Sequence, residues 1–148
     1  MAFSRSSIRG ASGAPGTGGA IDYRLRRQSV IDDFRKKRLA EHEVCDAHPE
    51  LVRAAQEVGE PTRVDCPICE AAKVVLVTYV FGPRLPPFGR CVTTRREFLK
   101  LDRRPEESAA YVVEVCPACR WNHLARVLPV GGKAPRPSRA RSAADGTP

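Results

Sequence analysis

Four of the six cysteines fall into two copies of one pattern, Cys66-Pro67-Ile68-Cys69 and Cys116-Pro117-Ala118-Cys119. A C-x2-C turn aims two thiolates at one ion. Two such turns complete the four-coordinate tetrahedral shell that zinc takes in closed structural sites. Proline after the first cysteine removes a backbone N–H and presets φ, which suits a tight knuckle. The pattern predicts one structural Zn2+ held by Cys66, Cys69, Cys116 and Cys119. A shell of four thiolates leaves no open position for a catalytic ion. The competing chemistry is a redox pair within each C-x-x-C, which needs a thiolate stabilised at a helix N-terminus. Neither motif is followed by a convincing helix, and the presence of two copies favours shared coordination.

Other groups carry weaker signals. Cys45-Asp46-Ala47-His48 has C-x2-H spacing and offers half of a second metal site; the simpler account of Cys45 is a buried structural thiol. His48 precedes Pro49 and reads as a residue leading into a helix. Cys91 has no assignable role. Trp121-Asn122-His123 directly follows the second knuckle, and alternation puts Trp121 and His123 on one strand face. Trp121 either shields the metal cluster, with His123 packing nearby, or presents its indole for base stacking or a protein contact. No Ser/His/Asp set, H-E-x-x-H helix or Walker loop occurs, and Glu114 has no partner at a catalytic spacing. The expectation is a protein that is not an enzyme and has no evident small-molecule substrate.

The elements that must position these residues are legible between the two knuckles and upstream of them. Tyr23, Val30, Ile31 and Phe34 form one stripe of a helix over roughly 22–40. A second helix starts at Pro49, carries Leu51, Ala54, Ala55 and Val58 on one side, and ends at Gly59 with Pro61 beyond. Residues 74–81 are β-branched and aromatic on both faces and read as a buried strand. Thr94 and Glu97 form a capping box that opens a short helix, ended by Pro105. Residues 109–115 and 121–128 read as two strands flanking the second knuckle. The fold class expected is α+β, a small zinc-ribbon-like antiparallel sheet with N-terminal helices and disordered tails.

A chain of 148 residues leaves room for one ordinary domain, or a smaller one with tails. Residues 1–19 are rich in Gly, Ser and Ala and predict a disordered tail, residues 20–130 a helical segment plus the zinc-ribbon-like domain, and residues 131–148 a disordered basic tail. The longest apolar run is too short to span a bilayer, and no apolar signal segment opens the chain. A cytoplasmic protein without membrane contact is expected, and six cysteines there argue against a disulfide framework.

The formal charge is +8, but it is unevenly placed. Residues 24–38 carry a net +5, residues 41–70 a net −6, and residues 84–104 again +5. The basic blocks either pair with the acidic one across solvated faces or form a surface that neutralises phosphates. The candidate contacts to nucleic acid or a protein partner are Arg35, Lys36, Lys37, Arg38, Arg95, Arg96, Arg103, Arg104 and Trp121.

Several of these runs together resemble a known family. They are Glu43-Val44-Cys45-Asp46-Ala47, the stretch from Cys66-Pro67-Ile68-Cys69 through Tyr79-Val80-Phe81-Gly82, and Glu114-Val115-Cys116 to Cys119 followed by Trp121-Asn122-His123-Leu124. They are similar to a family of small actinobacterial proteins known as domain of unknown function 5318, over roughly residues 21–128. Twenty arginines against five lysines independently suit a GC-rich genome. The resemblance implies a cytosolic, zinc-ribbon-like protein and supplies no reaction. The reading that follows is a non-enzymatic zinc protein, acting as a transcription-associated or nucleic-acid-binding factor. Alternatives are a protein-interaction module in which zinc is only a scaffold, and a thiol redox sensor or oxidoreductase.

Overall fold

Between Lys73 and Phe81 the chain carries four valines, Tyr79 and Phe81, and β-branched and aromatic side chains favour the pleated backbone. In the computed structural model, which describes residues 2–11 and 19–132, this segment is central to a six-stranded antiparallel sheet. The strands are β1 (Ile21–Asp22), β2 (Glu60–Asp65), β3 (Lys73–Phe81), β4 (Arg90–Val92), β5 (Glu107–Val115) and β6 (Asn122–Gly131). β3 pairs with β5 from Val75↔Val115 to Phe81↔Ala109. β6 lies beyond β5, and β1 closes that edge. β2 and β4 share the other edge of β3, one after the other.

The helices are α1 (Arg24–Arg35), α2 (Glu41–Val44), α3 (Pro49–Val58) and α4 (Arg95–Asp102). α3 starts as expected: His48 Nδ1 accepts from the Glu50 N–H at 3.1 Å and Pro49 takes the first helical position. Thr94 Oγ1 accepts from the Glu97 N–H at 3.2 Å to open α4. The reciprocal half of that capping box slips one residue, because the Glu97 carboxylate takes the Thr93 N–H and hydroxyl at 3.3 and 2.7 Å. α1 is shorter than the expected 22–40. Lys37 adopts a left-handed φ of 61°, and the N–H groups of Arg38 and Leu39 turn back to Asp33 O. This satisfies the carbonyl that would otherwise be left open at the helix end.

Alternation along β5 divides the core. Tyr111, Val113 and Val115 face one side of the sheet, where Leu51 and Ala55 of α3 cover them. Ala110, Val112 and Glu114 face the other side. There α4 packs Leu101 against Val80, Ala110 and Val130, and α1 packs Ile31 against Val74, Trp121 and the knuckle cysteines.

The N-terminal expectation is corrected for residues 2–11. They contain a 3-10 turn at Arg5–Ser7, and Phe3, Ile8 and Ala11 are buried in the core with α3. The Arg9 backbone joins β6, accepting from the Leu124 N–H at 2.8 Å and donating to Asn122 Oδ1 at 3.1 Å. Two large apolar side chains are enough to dock a segment whose Gly/Ser composition reads as tail; each contributes about 2 kcal/mol on burial. Met1 and residues 12–18 of that expected tail lie outside the described residues, as does the basic tail from 133 onward. The two residues that open the expected C-terminal tail are fixed in the fold instead: Gly131 ends β6, and the Gly132 N–H donates to Arg104 O, just after α4, at 3.0 Å. Among the described residues, no helix is long and apolar enough to cross a membrane.

Candidate metal centre

The two C-P-x-C motifs fold into matching knuckles. Cys66 and Cys116 each donate their N–H across the base of the turn, to Ala72 O and Trp121 O, both at 2.8 Å. Their carbonyls accept from the N–H of Glu70 and Arg120 four residues on, at 3.1 and 2.9 Å. Glu70 and Arg120 both take left-handed conformations, with φ of 55° and 76°; that conformation turns the chain back after the second cysteine. The first knuckle joins β2 to β3 and the second joins β5 to β6, and β3 pairs with β5. Val75 lies opposite Val115, so the sheet register itself brings Cys66 and Cys69 to Cys116 and Cys119.

The four sulfurs lie within 4.8 Å of one another. Cys66 Sγ is 3.6 Å from Cys119 Sγ and Cys69 Sγ is 3.7 Å from Cys116 Sγ. A tetrahedral ion with metal–sulfur bonds near 2.3 Å spaces its ligands about 3.8 Å apart, so these two spacings match a shell around one ion and the four sulfurs are close enough to share it. Backbone N–H groups point at the sulfurs: Ile68 to Cys66, Ala71 to Cys69 and Cys119 to Cys116, all at 3.4 Å. Such bonds stabilise negative sulfur. Burial pushes the Cys66 and Cys119 thiols well above their ordinary range. Burial also raises Cys69, but the Ala71 N–H and the neighbouring sulfurs outweigh it and bring that thiol below its ordinary value. These residues could hold a metal ion, whose charge would displace the protons that burial retains.

Around the sulfurs the structure settles several assignments. Trp121, one of the candidate contacts, is fully buried and is removed from that set. Its indole N–H donates to Glu114 Oε2 at 2.9 Å, its ring stacks on His123 with centroids 5.9 Å apart, and it packs against Cys66 and Cys116. Glu114 does have a partner, invisible at the level of sequence spacing: Arg27 of α1 donates to both carboxylate oxygens, through Nε and through Nη2 at 3.1 Å. His123 is buried with its Nδ1 at 2.7 Å from Leu124 O, and burial holds its pKa below the usual value.

Cys45 and His48 are not brought together as a second site. His48 caps α3, whereas Cys45 places its sulfur 3.3 Å from Cys119 Sγ. The segment carrying Cys45 is fastened to the second knuckle. Ala47 N–H bonds to Arg120 O at 2.9 Å, Arg120 Nη2 to Ala47 O at 2.7 Å, and Asn122 Nδ2 to Asp46 Oδ1 at 3.3 Å. The knuckle spacing points to four ligands, and nothing in it signals this fifth sulfur. Cys91 is remote from the centre, on β4.

The basic candidates are all exposed or half-exposed. Arg35 ends α1, and Lys36, Lys37 and Arg38 follow it beside the metal-end cluster, with Arg38 3.6 Å from Asp33. Arg95, Arg96 and Arg103 lie on or just after α4, and Arg104 pairs with Glu106 at 3.3 Å. Because α1 rests over Glu114 and Val74 and α4 over Ala110 and Val80, both helices occupy one face of the sheet. Arg126, opposite Val112 on β6 and exposed, sits on that face between them; no motif marks it. On the reverse face a cleft of about 690 Å³ is lined by Phe3, Tyr79, Val58 and Phe88 among others.

Compared with known proteins, the chain matches over residues 17–144 the family described as "Family of unknown function (DUF5318)", and it belongs to that family. It is 42% identical over 127 residues to "Uncharacterized protein Rv0049" of Mycobacterium tuberculosis and to "Uncharacterized protein Mb0050" of Mycobacterium bovis. Each match covers 86% of this chain and 91% of the relative. No solved structure matches.

Proposed function

We propose that this DUF5318 protein is a non-enzymatic binding module in which one zinc ion, held by Cys66, Cys69, Cys116 and Cys119, stabilises a scaffold that offers a basic face to nucleic acid. The metal assignment is supported by four cysteine sulfurs within 4.8 Å of one another, a donor set that suits zinc and that iron can also occupy. The nucleic-acid reading is carried by one observation: the two helices bearing the basic blocks lie on the same face of the sheet, with Arg126 between them. Cations gathered on one face neutralise adjacent phosphates and release counterions, so the association weakens as salt rises.

Metal content of protein purified without added metal, followed by anisotropy titration of labelled duplex and single-stranded DNA and RNA at low and high salt, tests both parts. One zinc per chain and a binding constant that falls steeply with salt are expected. Charge reversal at Lys36 and Lys37, and separately at Arg95 and Arg96, should abolish binding while leaving metal content unchanged. Binding that is absent at low salt, or indifferent to salt, overturns the nucleic-acid reading. The protein-interaction alternative is favoured by the cleft on the reverse face, where Phe88 and Val58 remain 56% and 46% exposed. A partner recovered after nuclease treatment and at high salt, and lost on Phe88→Ser, would support it.

A further inference from the structure

Five sulfurs, not four, meet at the metal end of the sheet. Cys45 Sγ lies 3.3 Å from Cys119 Sγ, yet Cys45 is not one of the four sulfurs that lie within 4.8 Å of one another. Of the four, Cys66 and Cys116 are fully buried, whereas Cys119 is only partly so, as is Cys45. The fifth thiol therefore stands against a ligand on the accessible side of the centre. The contact is held by the residues that follow each cysteine, through the two bonds between Ala47 and Arg120 and through Asp46 with Asn122. The geometry points to an oxidative modification site: Cys45 is the resolving thiol for Cys119, and their disulfide opens the metal shell.

The chemistry needs a two-electron oxidant of the peroxide class. The Cys119 thiolate attacks one oxygen of hydrogen peroxide, the O–O bond breaks, and hydroxide leaves; Cys119 becomes a sulfenic acid and loses its bond to the ion. The Cys45 sulfur then attacks the Cys119 sulfur, the S–O bond breaks, and the oxygen departs as water with the Cys45 proton. Two electrons have passed from the two sulfurs to the peroxide, and three thiolates remain on the ion, which is then open to exchange. Cys66, 3.6 Å from Cys119, is engaged by the ion, and a sulfenic acid without a free neighbouring thiol goes on to the sulfinic acid, which reductants do not restore. A thiol at 3.3 Å makes the oxidation reversible.

This inference rests on the metal reading above, and the test separates the two. Metal-loaded, reduced full-length protein carrying Cys91→Ser is titrated with hydrogen peroxide. Release is followed with a chromogenic chelator, and the oxidised cysteines are mapped by mass spectrometry. One Cys45–Cys119 disulfide per ion released is expected, with metal binding recovered after reduction. In Cys45→Ser, which keeps the size of the side chain, Cys119 should gain two oxygen atoms and metal binding should no longer recover. Disulfides that leave Cys45 out, Cys66–Cys119 included, or full recovery in Cys45→Ser, overturn the inference and leave the metal centre standing. Reduced protein that binds no metal overturns both.

Discussion

Arg27 of α1 and Glu114 of β5, 87 residues apart, form a two-pronged ion pair under the metal-end cluster, and the same carboxylate accepts the indole N–H of Trp121. The carboxylate is 7% exposed and the guanidinium 20%. Three elements are thereby joined through one side chain: helix α1, the central sheet, and the residue that follows the second knuckle.

Removing one member of that pair leaves a buried charge uncompensated. Arg27→Ala should cost about 3 kcal/mol of stability, whereas Arg27→Met with Glu114→Gln, which removes both charges and keeps an acceptor for the Trp121 indole N–H, should recover part of it. The unfolding midpoint in urea, read from the emission of the single tryptophan, measures both. A midpoint unchanged in Arg27→Ala would show that the pair contributes nothing.

Metal removal is expected to unfold the region around the knuckles, since thiolate shells of this kind contribute on the order of 10 kcal/mol to folding. Cys116→Ser should abolish stoichiometric zinc and lower the thermal midpoint sharply; Cys91→Ser should change neither. Circular dichroism and metal analysis on the two variants, with chelator added to the parent, decide this. Retention of a full zinc equivalent in Cys116→Ser would be incompatible with the four-sulfur shell.

The pH response has a definite sign. Burial is the main reason His123 titrates below its ordinary value of 6.5, with the Leu124 carbonyl acting in the opposite direction. The unfolded chain therefore takes up a proton near pH 6.5 that the folded chain does not, and stability falls as the pH drops through that value. Protonation of the knuckle thiols adds loss of metal at lower pH. Denaturation between about pH 7.5 and about pH 5.5 should show the decline, and His123→Gln should flatten its upper part. An identical pH dependence in that variant would rule His123 out as the source.

Gly10 reports on the docked N-terminal segment. Its φ is +91°, and a Cβ there would stand 2.8 Å from His123 Cε1. Gly10→Ala combines left-handed strain with overpacking and should destabilise by about 1–3 kcal/mol. Deleting residues 1–11 should destabilise further, by exposing the surface that Phe3 and Ile8 cover. Truncated protein as stable as the full chain would mean that the segment adds nothing to the core.

Much of this molecule is legible in its local chemistry. The C-P-x-C spacing is a property of four consecutive residues, so the knuckles follow from it directly. The β-branched run at 74–81, the stripe through Val30, Ile31 and Phe34, and the Pro49 start of α3 are likewise interactions within a few residues. The weak edges are not legible in this way. β1 has two residues, β4 has three, and β2 is a charged and exposed strand that owes its conformation to pairing with β3.

Sequence alone therefore carries the four-cysteine pattern that could hold a metal ion, the main helices and strands, the mixed α+β class and the family. Which side chains meet is a matter of tertiary structure. The fold buries Trp121 where the strand pattern left it free to be exposed, turns Cys45 away from His48 and onto Cys119, and gives Glu114 its arginine. It also docks residues 2–11 and sets α1 and α4 on one face. The reason is physical. Periodicity and spacing report interactions between residues close along the chain, whereas Arg27 with Glu114 and Cys45 with Cys119 are separated by 87 and 74 residues. Their meeting depends on the order and register of the strands, and that order is set by the combined burial of the whole sheet.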